Sequence, residues 1–588
     1  MLARVRVALG CMRLSTESSR DEERALLTLT AALDAGVRMF DTARAYALHE
    51  RDLGHNERLV AQALARRPGL STRVFSKCGM RRAGASWLPD GRARTIVEDA
   101  AASVEALGGV PIDLLLLHAP DPRVSIATSV RALARVQEDG LAREVGVCNV
   151  SRKQLEEALG EAPIAAVQVA LGAHDDLAIR SGVVGSCIER GIEVLAHSPL
   201  GGPERARRLA RDPELARIAA SVQAEPIAVF IAYLLAVSPA IVPIVGARRV
   251  ETVLPLAQAD KLALDAEQLA ALDARFPLLG RTRQPSAAAT STSTAREVVV
   301  LMGVPGSGKS RAAQAYVDRG YERLNRDVVG GSLKKIARLL EERLAAGATR
   351  VVLDNTYVTR ASRYDVVRVA AAHAARVHCV HLETPLPEAQ INVILRMLER
   401  FGRVVEPDEL DKLSRSDPAA LAPHALFRMQ RELEPPATDE GFASIERAPF
   451  VRQEVKGGTP GAFVSLAAAN GDTLPELLRA IPSGSPVLVY GWQPDAAPAA
   501  LHALRSSLEE AGSASGRNIE VAFCPHPGGR PICWCRPPLP GLLLTFAHRH
   551  RIDLRASVLI GASTTDSNMA RVLGMRYQSG ARDLPETK

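Results

Sequence analysis

The sequence predicts a multidomain α/β chain: a (β/α)8 TIM barrel, then a P-loop α/β domain, then a Rossmann-like α/β domain. Three observations predict this class. Short apolar runs alternate with amphipathic helical segments through residues 1–278, which is the pattern of repeated βα units. A glycine-rich loop ending in Gly-Lys-Ser lies mid-chain, at residues 303–310. Composition breaks at residues 280–295 and 455–460 separate the three parts.

These breaks set the predicted domain boundaries. Residues 280–295 are rich in Ser, Thr and Ala without hydrophobic periodicity, which is typical of a flexible linker. We therefore predict a barrel over residues 1–278, a linker over 279–296, a P-loop domain over 297–454 and a third domain over 460–582.

Composition excludes several other classes of protein. The 588 residues are 47% hydrophobic and 24% charged, as in ordinary globular chains. The net charge of +7 is spread along the chain, so charge alone gives little support for a nucleic-acid partner. The eight cysteines are mostly isolated, which argues against a disulfide framework. Without a signal-peptide pattern or a membrane-length apolar run, we expect a cytoplasmic chain with no membrane partner. The oligomeric state has no signal in the sequence.

Eight short apolar runs in the first segment predict the strands of the barrel. They are Val5–Leu9, Val37–Phe40, Val74–Ser76, Asp113–Leu117, Glu144–Val147, Ala166–Val169, Glu193–Ala196 and Ala240–Val245. Helical segments such as residues 125–138 and 152–159 lie between them. In barrels of this kind the functional residues lie at the carboxyl ends of the strands.

Polar residues follow the predicted strands at that end. In strand order they are Asp41, Lys77, His118, Asn149, Gln168 and His197, with Tyr46 in the loop after Asp41. Taken singly, Asp41 and Lys77 could form a structural ion pair, and His118 could be a hydrogen-bonded core histidine. Their regular placement on one rim favours a functional site.

This segment resembles the aldo-keto reductases over nearly its whole length. The motifs that carry the resemblance are Asp-Thr-Ala-Arg-Ala-Tyr at 41–46, Gly-His-Asn-Glu at 54–57, the strand ending in His118, and His-Ser-Pro-Leu-Gly at 197–201. The resemblance implies a catalytic tetrad of Asp41, Tyr46, Lys77 and His118 that acts on a small carbonyl substrate. Tyr46 would be the general acid, and Lys77, held by Asp41, would lower the pKa of Tyr46 because a nearby cation favours the phenolate. His118 would orient the carbonyl oxygen.

The resemblance also implies a nicotinamide cofactor that supplies hydride. The implied cofactor-binding residues are Asn149, Gln168, His197, Ser198, Gly246, Arg248 and Arg249. Cys148 and His197 stand where the family commonly has Ser and Tyr, and His197 would stack on the nicotinamide ring. Residues 246–249 are similar to the site for the adenosine 2′-phosphate, but the usual Glu-Asn pair downstream is Pro255-Leu256. Both NADP(H) and NADH therefore stay open as the cofactor.

The mid-chain loop predicts a site for ATP and Mg²⁺. A β-branched apolar run at residues 298–302 precedes the loop, and a helical segment at 311–319 follows it, as the motif requires. The backbone of Gly303, Gly306, Ser307 and Gly308 would surround the phosphates. Lys309 would reach the β/γ-phosphates, and the Ser310 hydroxyl would hold Mg²⁺. The alternative is a glycine-rich turn that binds nothing.

Further motifs in the middle segment resemble the 5′-hydroxyl polynucleotide kinases over residues 297–403. They are Asn-Arg-Asp at 325–327 and an apolar strand ending in Asp-Asn-Thr at 354–356. The resemblance implies that Asp327 is the general base, that Lys309 acts in catalysis and that Asp354 helps hold metal or substrate. Arg396, Arg400 or Arg403 would neutralise the transferring phosphoryl group. Alternatively, Asp327 caps a strand end and the arginines form a solvated helix face. A nucleic-acid 5′ end and a small alcohol are both candidate acceptors.

The last segment carries a C-x-H…C-x-C cluster made of Cys524, His526, Cys533 and Cys535. Three thiols and an imidazole suit tetrahedral Zn²⁺, and the alternative is three reduced thiols in a surface loop. This segment resembles the zinc-loop branch of the haloacid-dehalogenase (HAD) phosphatases, through residues 535–541 and 558–566. The family's nucleophile and acid–base positions fall on Ala468 and Asn470, so we expect an inactive phosphatase-like domain that retains only Asp566.

The leading functional hypothesis is a multidomain enzyme that combines NAD(P)H-dependent carbonyl reduction with ATP-dependent phosphorylation of a hydroxyl, in nucleic-acid end repair. One alternative is a scaffold that senses NADPH and regulates the kinase. Another is a kinase for a small metabolite alcohol.

Overall fold

The computed structural model describes residues 5–84, 86–283, 296–452, 458–469, 473–529 and 532–580. The chain forms two compact units, Met1–Ala289 and Thr290–Lys588. The helix Pro277–Arg283 extends into the predicted linker. Most of the remaining linker and the Asn470 position lie outside the described residues.

The first unit is built on a closed barrel of eight parallel strands, which confirms the predicted (β/α)8 barrel. Going round the barrel, the strand order is β1, β10, β9, β8, β7, β6, β3, β2. These strands are β1 (Val5–Gly10), β2 (Val37–Asp41), β3 (Arg73–Cys78), β6 (Ile112–Leu117), β7 (Ala142–Cys148), β8 (Ala166–Ala170), β9 (Glu193–His197) and β10 (Ile241–Gly246). Each overlaps a run predicted from the sequence.

Helices surround the barrel. They are α1 (Glu22–Asp34), α2 (His55–Ala65), α3 (Ala93–Ala106), α4 (Ile126–Glu138), α5 (Arg152–Leu159), α6 (Leu177–Arg180), α7 (Val183–Arg190), α8 (Pro203–Leu209), α9 (Pro213–Ser221), α10 (Pro226–Val237), α11 (Leu254–Ala259), α12 (Ala266–Arg275) and α13 (Pro277–Arg283). Local signals set several of their starts. The Ser125 side chain accepts from the Thr128 amide at the start of α4, which satisfies a backbone donor that the first helical turn leaves free.

Strand alternation divides the barrel core into two layers. Leu114 and Leu116 of β6 belong to the cluster inside the barrel, whereas Leu115 and Leu117 join the cluster between strands and helices. Space in the barrel is tight at Gly146. A Cβ there would lie 2.3 Å from the Ala166 carbonyl oxygen, so only glycine fits.

A short hairpin, β4 (Met80–Ala83) with β5 (Ser86–Pro89), follows β3. The sequence analysis did not predict it. The hairpin carries Trp87 into contact with Tyr46 and His118 at the carboxyl rim of the barrel.

The second unit contains two five-stranded parallel sheets, in the orders β12-β13-β11-β14-β15 and β18-β17-β16-β19-β20. The first sheet comprises β11 (Glu297–Met302), β12 (Glu322–Leu324), β13 (Arg350–Asp354), β14 (Arg376–Glu383) and β15 (Ser444–Pro449). The second comprises β16 (Ala462–Ser465), β17 (Val487–Trp492), β18 (Ile519–Cys524), β19 (Val558–Gly561) and β20 (Arg576–Ser579). Both are α/β layers. The assignment of the second to the HAD type stays a prediction.

The helices of this unit pack on the two sheets. They are α14 (Lys309–Val317), α15 (Arg326–Val329), α16 (Leu333–Ala345), α17 (Arg360–Ala372), α18 (Leu386–Phe401), α19 (Pro407–Leu413), α20 (Pro423–Glu432), α21 (Thr473–Ala480), α22 (Pro498–Ala514), α23 (Gly541–His550) and α24 (Thr564–Leu573). One apolar cluster joins α18, α19 and α20 to residues of the second sheet and α23. The two sheets are therefore connected through a shared core.

Within the described residues, no single helix combines the length and apolar character of a membrane span. One sharply bent pair, α9 with α10, meets those criteria by length and composition alone. Much of α10 is buried in the core of the first unit.

A buried ion pair supports the first sheet of the second unit. Arg363 is fully buried; it lies 2.7 Å from Glu440 and donates to the carbonyl oxygens of Tyr357 and Glu434 at 3.0 Å. We expect Arg363→Ala to lower the free energy of unfolding of this unit by about 3–5 kcal/mol, because Glu440 would be left buried and unpaired. Urea unfolding of the full chain measures the change.

The matched control is Arg338→Ala, since Arg338 pairs with Glu342 at 3.5 Å with both side chains mostly exposed. This substitution should lower the free energy of unfolding by less than about 1 kcal/mol. Equal unfolding midpoints for the two variants would show that the buried pair contributes no more to the free energy of unfolding than the exposed pair does.

Candidate functional sites

The carboxyl rim of the barrel holds a buried ion pair at the ends of two neighbouring strands. Lys77 Nζ donates to Asp41 Oδ1 at 2.6 Å and to the Thr42 carbonyl oxygen at 2.8 Å. Gln168 Nε2 donates to the same Asp41 oxygen at 2.7 Å. Burial alone would lower the pKa of Lys77, but the charges of Asp41 and Tyr46 outweigh it and raise that pKa above its usual value. Lys77 therefore stays a cation.

Tyr46 lies beside this cation. Lys77 Nζ is 4.8 Å from the centroid of the Tyr46 ring. Burial raises the pKa of Tyr46 above its usual value, and the opposing effect of Lys77 is smaller. Lys77 lowers the pKa of Tyr46, as the sequence analysis predicted, but desolvation of the phenolate is the larger effect, so the net pKa is raised. Tyr46 keeps its proton and can donate it.

His118 completes the group of four predicted catalytic residues. Its ring centroid lies 5.7 Å from that of Tyr46 and 5.9 Å from that of Trp87. Burial, followed by the charges of Lys77 and His197, holds the pKa of His118 well below its usual value, so the imidazole is neutral. Its buried Nδ1 atom has no hydrogen-bond partner among the described residues. The structure thus brings Asp41, Tyr46, Lys77 and His118 together at one place.

A cleft of about 1020 Å³ opens from this group across the rim. Predicted site residues that line it are Asp41, Tyr46, His118, Asn149, Gln168, His197, Ser198, Gly246, Arg248 and Arg249. Lys77 is buried and is not among the lining residues. Asn149 and Ser198 have φ angles of 56° and 54°, in the left-handed region that few non-glycine residues adopt.

Hydrogen bonds fix several residues along the cleft. His197 Nε2 lies 3.2 Å from Asn149 Oδ1, and Arg248 forms an ion pair with Glu17 at 2.5 Å. Sequence reasoning missed other lining residues, among them Trp87, Arg13 and Arg24. Trp87 could not be found because its hairpin was not predicted, whereas Arg13 and Arg24 carry no motif.

The P-loop forms the centre of a second cleft, of about 720 Å³. The Lys309 ammonium donates to the carbonyl oxygens of Gly303 and Val304 at 2.9 and 2.8 Å. Burial lowers the pKa of Lys309 to about 8, although the charge of Asp354 opposes that shift. The helix α18 closes over the loop, because a Cβ on Gly306 would lie 2.4 Å from the Ala389 carbonyl oxygen.

Both predicted acidic residues line this second cleft. Asp354 is buried, pairs with Arg323 and accepts from Asn325 Nδ2 at 3.0 Å. Asp327 is exposed at the start of α15, and its backbone amide donates to Asn325 Oδ1 at 2.7 Å. Asn325 thus holds the segments of both acids together, and the Asp327 carboxylate, 3.9 Å from Arg326, lines the cleft.

The structure separates the predicted phosphate-binding residues into two sets. Those lining the cleft are Gly306, Gly308, Lys309, Ser310, Asp327, Asp354 and Arg396. Gly303, Ser307, Arg400 and Arg403 are not among the lining residues. Arg400 pairs with Asp417 at 2.8 Å and Arg403 with Glu409 at 2.6 Å. Arg396, one helical turn before Arg400, is the arginine of the three that faces the cleft.

Sequence reasoning missed other residues of this cleft, among them Asn392 and Arg415. Asn392 Nδ2 donates to the Gly306 carbonyl oxygen at 2.7 Å, which fixes α18 against the P-loop. Arg415 lies in the segment between α19 and α20, to which no motif pointed.

The four predicted zinc ligands lie together in the structure. Their ligand atoms, from Cys524, His526, Cys533 and Cys535, are all within 4.8 Å of one another. Cys524 Sγ is 3.5 Å from Cys533 Sγ and 3.4 Å from His526 Nδ1. These distances are near the edge of about 3.8 Å that zinc–sulfur bonds of about 2.3 Å give in a tetrahedron. The donor set fits Zn²⁺.

Asp566, the acidic residue left in the HAD-like motif, is buried and fully hydrogen-bonded. One carboxylate oxygen accepts from the Tyr490 hydroxyl at 2.7 Å. The other accepts from the Ala562 amide at 3.1 Å and the Ser563 hydroxyl at 2.8 Å. Ala468, at the predicted nucleophile position, is also buried. Asp566 therefore stabilises the start of α24 in this conformation and presents no free oxygen.

The fold and the rim geometry define the first unit as a (β/α)8 barrel of the oxidoreductase type. A model of the aldo/keto reductase family matches residues 6–275. Pyridoxine 4-dehydrogenase of Escherichia coli K12 is 30% identical over 284 residues, which cover 46% of this chain and 93% of that protein. The chain belongs to the aldo/keto reductase family.

The second unit matches a different group. A model described as an AAA domain matches residues 298–413. The bifunctional polynucleotide phosphatase/kinase of Schizosaccharomyces pombe is 29% identical over 156 residues, 26% of this chain. The chain spans 34% of the length of that relative.

Among solved structures, glycerol dehydrogenase of Gluconobacter oxydans matches 48% of this chain and 93% of its own, at 25% identity and a TM-score of 0.41.

The lowered pKa of Lys309 makes nucleotide binding depend on pH. Lys309 is charged below about pH 8 and neutral above it, and only the ammonium attracts phosphate. We expect the affinity for a fluorescent ATP analogue to fall as pH rises from 7 to 9.5, by about tenfold per unit once past the pKa. Equilibrium titration at each pH measures it.

Lys309→Arg is the control, because a guanidinium stays charged over this range. Its affinity should change little with pH. A native chain whose affinity is the same at pH 7 and 9.5 would contradict the prediction.

Proposed function

We propose that this chain is a multidomain enzyme with two separate reactions. The barrel reduces a small aldehyde or ketone with NAD(P)H, and the P-loop domain transfers the γ-phosphoryl group of ATP to a hydroxyl, in particular a polynucleotide 5′-hydroxyl. The observation that carries the proposal is that one chain holds two clefts, each lined by the groups its reaction requires.

In the barrel, Tyr46 gives its proton to the oxygen of the carbonyl substrate. The permanent cation at Lys77, held by Asp41 at 2.6 Å, stabilises the phenolate that remains. The neutral His118 ring has an unsatisfied nitrogen at the same place and orients the carbonyl. Trp87 shields this end of the cleft from water.

The rest of the cleft fits a nicotinamide cofactor. Asn149 and His197 line the cleft and would contact the carboxamide and the nicotinamide ring, while Arg249 and Arg248, the latter paired with Glu17, would contribute positive charge. Since both arginines favour an additional phosphate, we propose NADP(H) over NADH. When bound, the cofactor supplies hydride to the carbonyl carbon.

In the P-loop domain, Asp327 accepts the proton of the attacking hydroxyl. The hydroxyl oxygen forms a bond to the γ-phosphorus of ATP while the bond to the β–γ bridging oxygen breaks, and ADP leaves. Lys309 and Arg396 stabilise the charge on the transferring group. The exposed Ser310 hydroxyl in the same cleft fits Mg²⁺, which would screen the phosphates.

The third domain is proposed to hold structural Zn²⁺ and to lack phosphatase activity. Three thiols and an imidazole form a closed donor set, as in structural zinc sites. Among the described residues, neither the buried Ala468 nor the fully bonded Asp566 offers a carboxylate nucleophile. The similarity to a phosphatase/kinase supports the polynucleotide acceptor.

Removing the Tyr46 hydroxyl tests the reductase. We expect Tyr46→Phe to lower kcat/KM for NADPH-dependent reduction of a simple aldehyde by about 10²–10⁴-fold, since the proton donor is lost. NADPH binding, followed by fluorescence, should be unchanged and serves as the control. Full activity in the variant would exclude Tyr46 as the general acid.

Neutralising Asp327 tests the kinase. We expect Asp327→Asn to slow transfer of labelled γ-phosphate to a 5′-hydroxyl oligonucleotide by about 10²–10⁴-fold while ATP-analogue affinity is kept. Asp318→Asn is the matched control, because Asp318 is exposed at the end of α14, where its carboxylate accepts from Gln314, and does not line the cleft.

Small alcohols compete in the same assay and distinguish the acceptor. If the native chain phosphorylates a small alcohol and leaves the oligonucleotide unlabelled, the polynucleotide acceptor is wrong. The proposed transfer of phosphate to a hydroxyl is then supported.

A further inference from the structure

We propose that the third domain is a positioning module of the nucleotide cleft, and that metal binding at its Cys/His cluster fixes the segment that covers that cleft. This segment, residues 406–421, is called the lid here. The proposal rests on the proposed kinase and on the proposed zinc site. It gives a function to a domain whose phosphatase chemistry is absent.

The lid faces the P-loop. Ser414, Arg415, Ser416, Asp417 and Leu421 line the same cleft as Lys309. Arg396 of α18 donates to the Pro418 carbonyl oxygen at 2.6 Å. The position of the lid therefore sets both the shape of the cleft and the direction of the arginine that faces the phosphates.

The Cys/His cluster holds the lid at both of its ends. At the first end, His526 Nε2 lies 2.9 Å from Glu406 Oε2. At the second, Trp534 Nε1 donates to the Leu421 carbonyl oxygen at 2.7 Å. Trp534 lies between two of the cluster cysteines in sequence and is fully buried. The loop that carries the Cys/His cluster therefore makes one hydrogen bond to each end of the lid.

The His526 ring connects the metal site to the lid directly. Its Nδ1 atom lies 3.4 Å from Cys524 Sγ and 3.3 Å from Cys535 Sγ, while Nε2 faces Glu406. A metal ion on Nδ1 leaves the ring proton on Nε2, where it can only donate to the carboxylate. Without metal, the ring can place its proton on either nitrogen, and the three thiols no longer cross-link the loop.

Packing supports the same arrangement. Leu410 and Ala420 of the lid share one apolar cluster with Trp534, Leu539 and Leu543 of the third domain. Arg452 forms an ion pair at 2.6 Å with Glu388, at the start of α18, and donates to the Val572 carbonyl oxygen at 2.9 Å. Through the apolar cluster the third domain contacts both the lid and α18, the helix that carries Asn392 and Arg396.

The test compares two single substitutions in the zinc-loaded full chain. Glu406→Ala removes the acceptor from the cluster. Glu406 is the N-cap residue of α19, but its side chain makes no capping hydrogen bond, so the helix is unaffected. Glu409→Ala is the matched control, because Glu409 pairs with Arg403 and does not contact the cluster. The readouts are bound zinc, hydrogen exchange of the lid amides, and affinity for a non-hydrolysable ATP analogue.

We expect Glu406→Ala to keep its zinc, to exchange its lid amides about tenfold faster, and to bind the analogue about 5–10-fold more weakly. Removing zinc from the native chain with a chelator should have the same two effects. Removing it from Glu406→Ala should add little, because both changes break the same connection. Glu409→Ala should match the native chain.

Equal exchange rates in the two variants would overturn the proposal, as would a native lid that is unaffected by loss of zinc. A chain that binds no zinc would overturn it as well. Failure of the native chain to bind the analogue would count against the proposed kinase, and lid exchange would then still decide whether the cluster holds the lid.

Discussion

Parallel strand pairing is the constraint on which the clefts and the metal cluster depend. Every pair in the barrel and in the two five-stranded sheets is parallel, so the carboxyl ends of the strands collect at one edge of each sheet. Asp41 and Lys77 end neighbouring strands of the barrel. Asp354 pairs in register with Leu301, just before the P-loop. Cys524 ends the strand that leads into the metal cluster.

Two buried lysines show that the groups around a buried ammonium decide whether its pKa rises or falls. Lys77 pairs with a carboxylate and its pKa rises. Lys309 is held by neutral carbonyl oxygens, so burial dominates and its pKa falls to about 8. The charge of Lys77 is thus a permanent part of the barrel site. Within the described residues Lys309 forms no ion pair, and the phosphates of a nucleotide would provide a close anion.

In the proposed third domain, the two described residues at the predicted phosphatase positions have structural roles. Ala468 is a core residue, and Asp566 accepts hydrogen bonds from Ala562 and Ser563 at the start of α24. In contrast, Trp534 and the apolar face of α23 contact the P-loop part of the unit. A domain with these contacts can keep the lid and α18 in position around the cleft, because packing and hydrogen bonding require no catalytic residue.

The sequence by itself determined the barrel, the order of its strands along the chain, the P-loop and the four clustered metal ligands. These features depend on hydrophobic period, short motifs and local spacing, which contiguous residues encode. Only the tertiary structure decided which arginine lines the P-loop cleft, that Trp87 contacts Tyr46, and that the pKa of Tyr46 rises. It also decided the contact between Glu406 and His526, 120 positions apart. Burial and long-range contacts result from the packing of distant segments, and no local pattern in the chain encodes them.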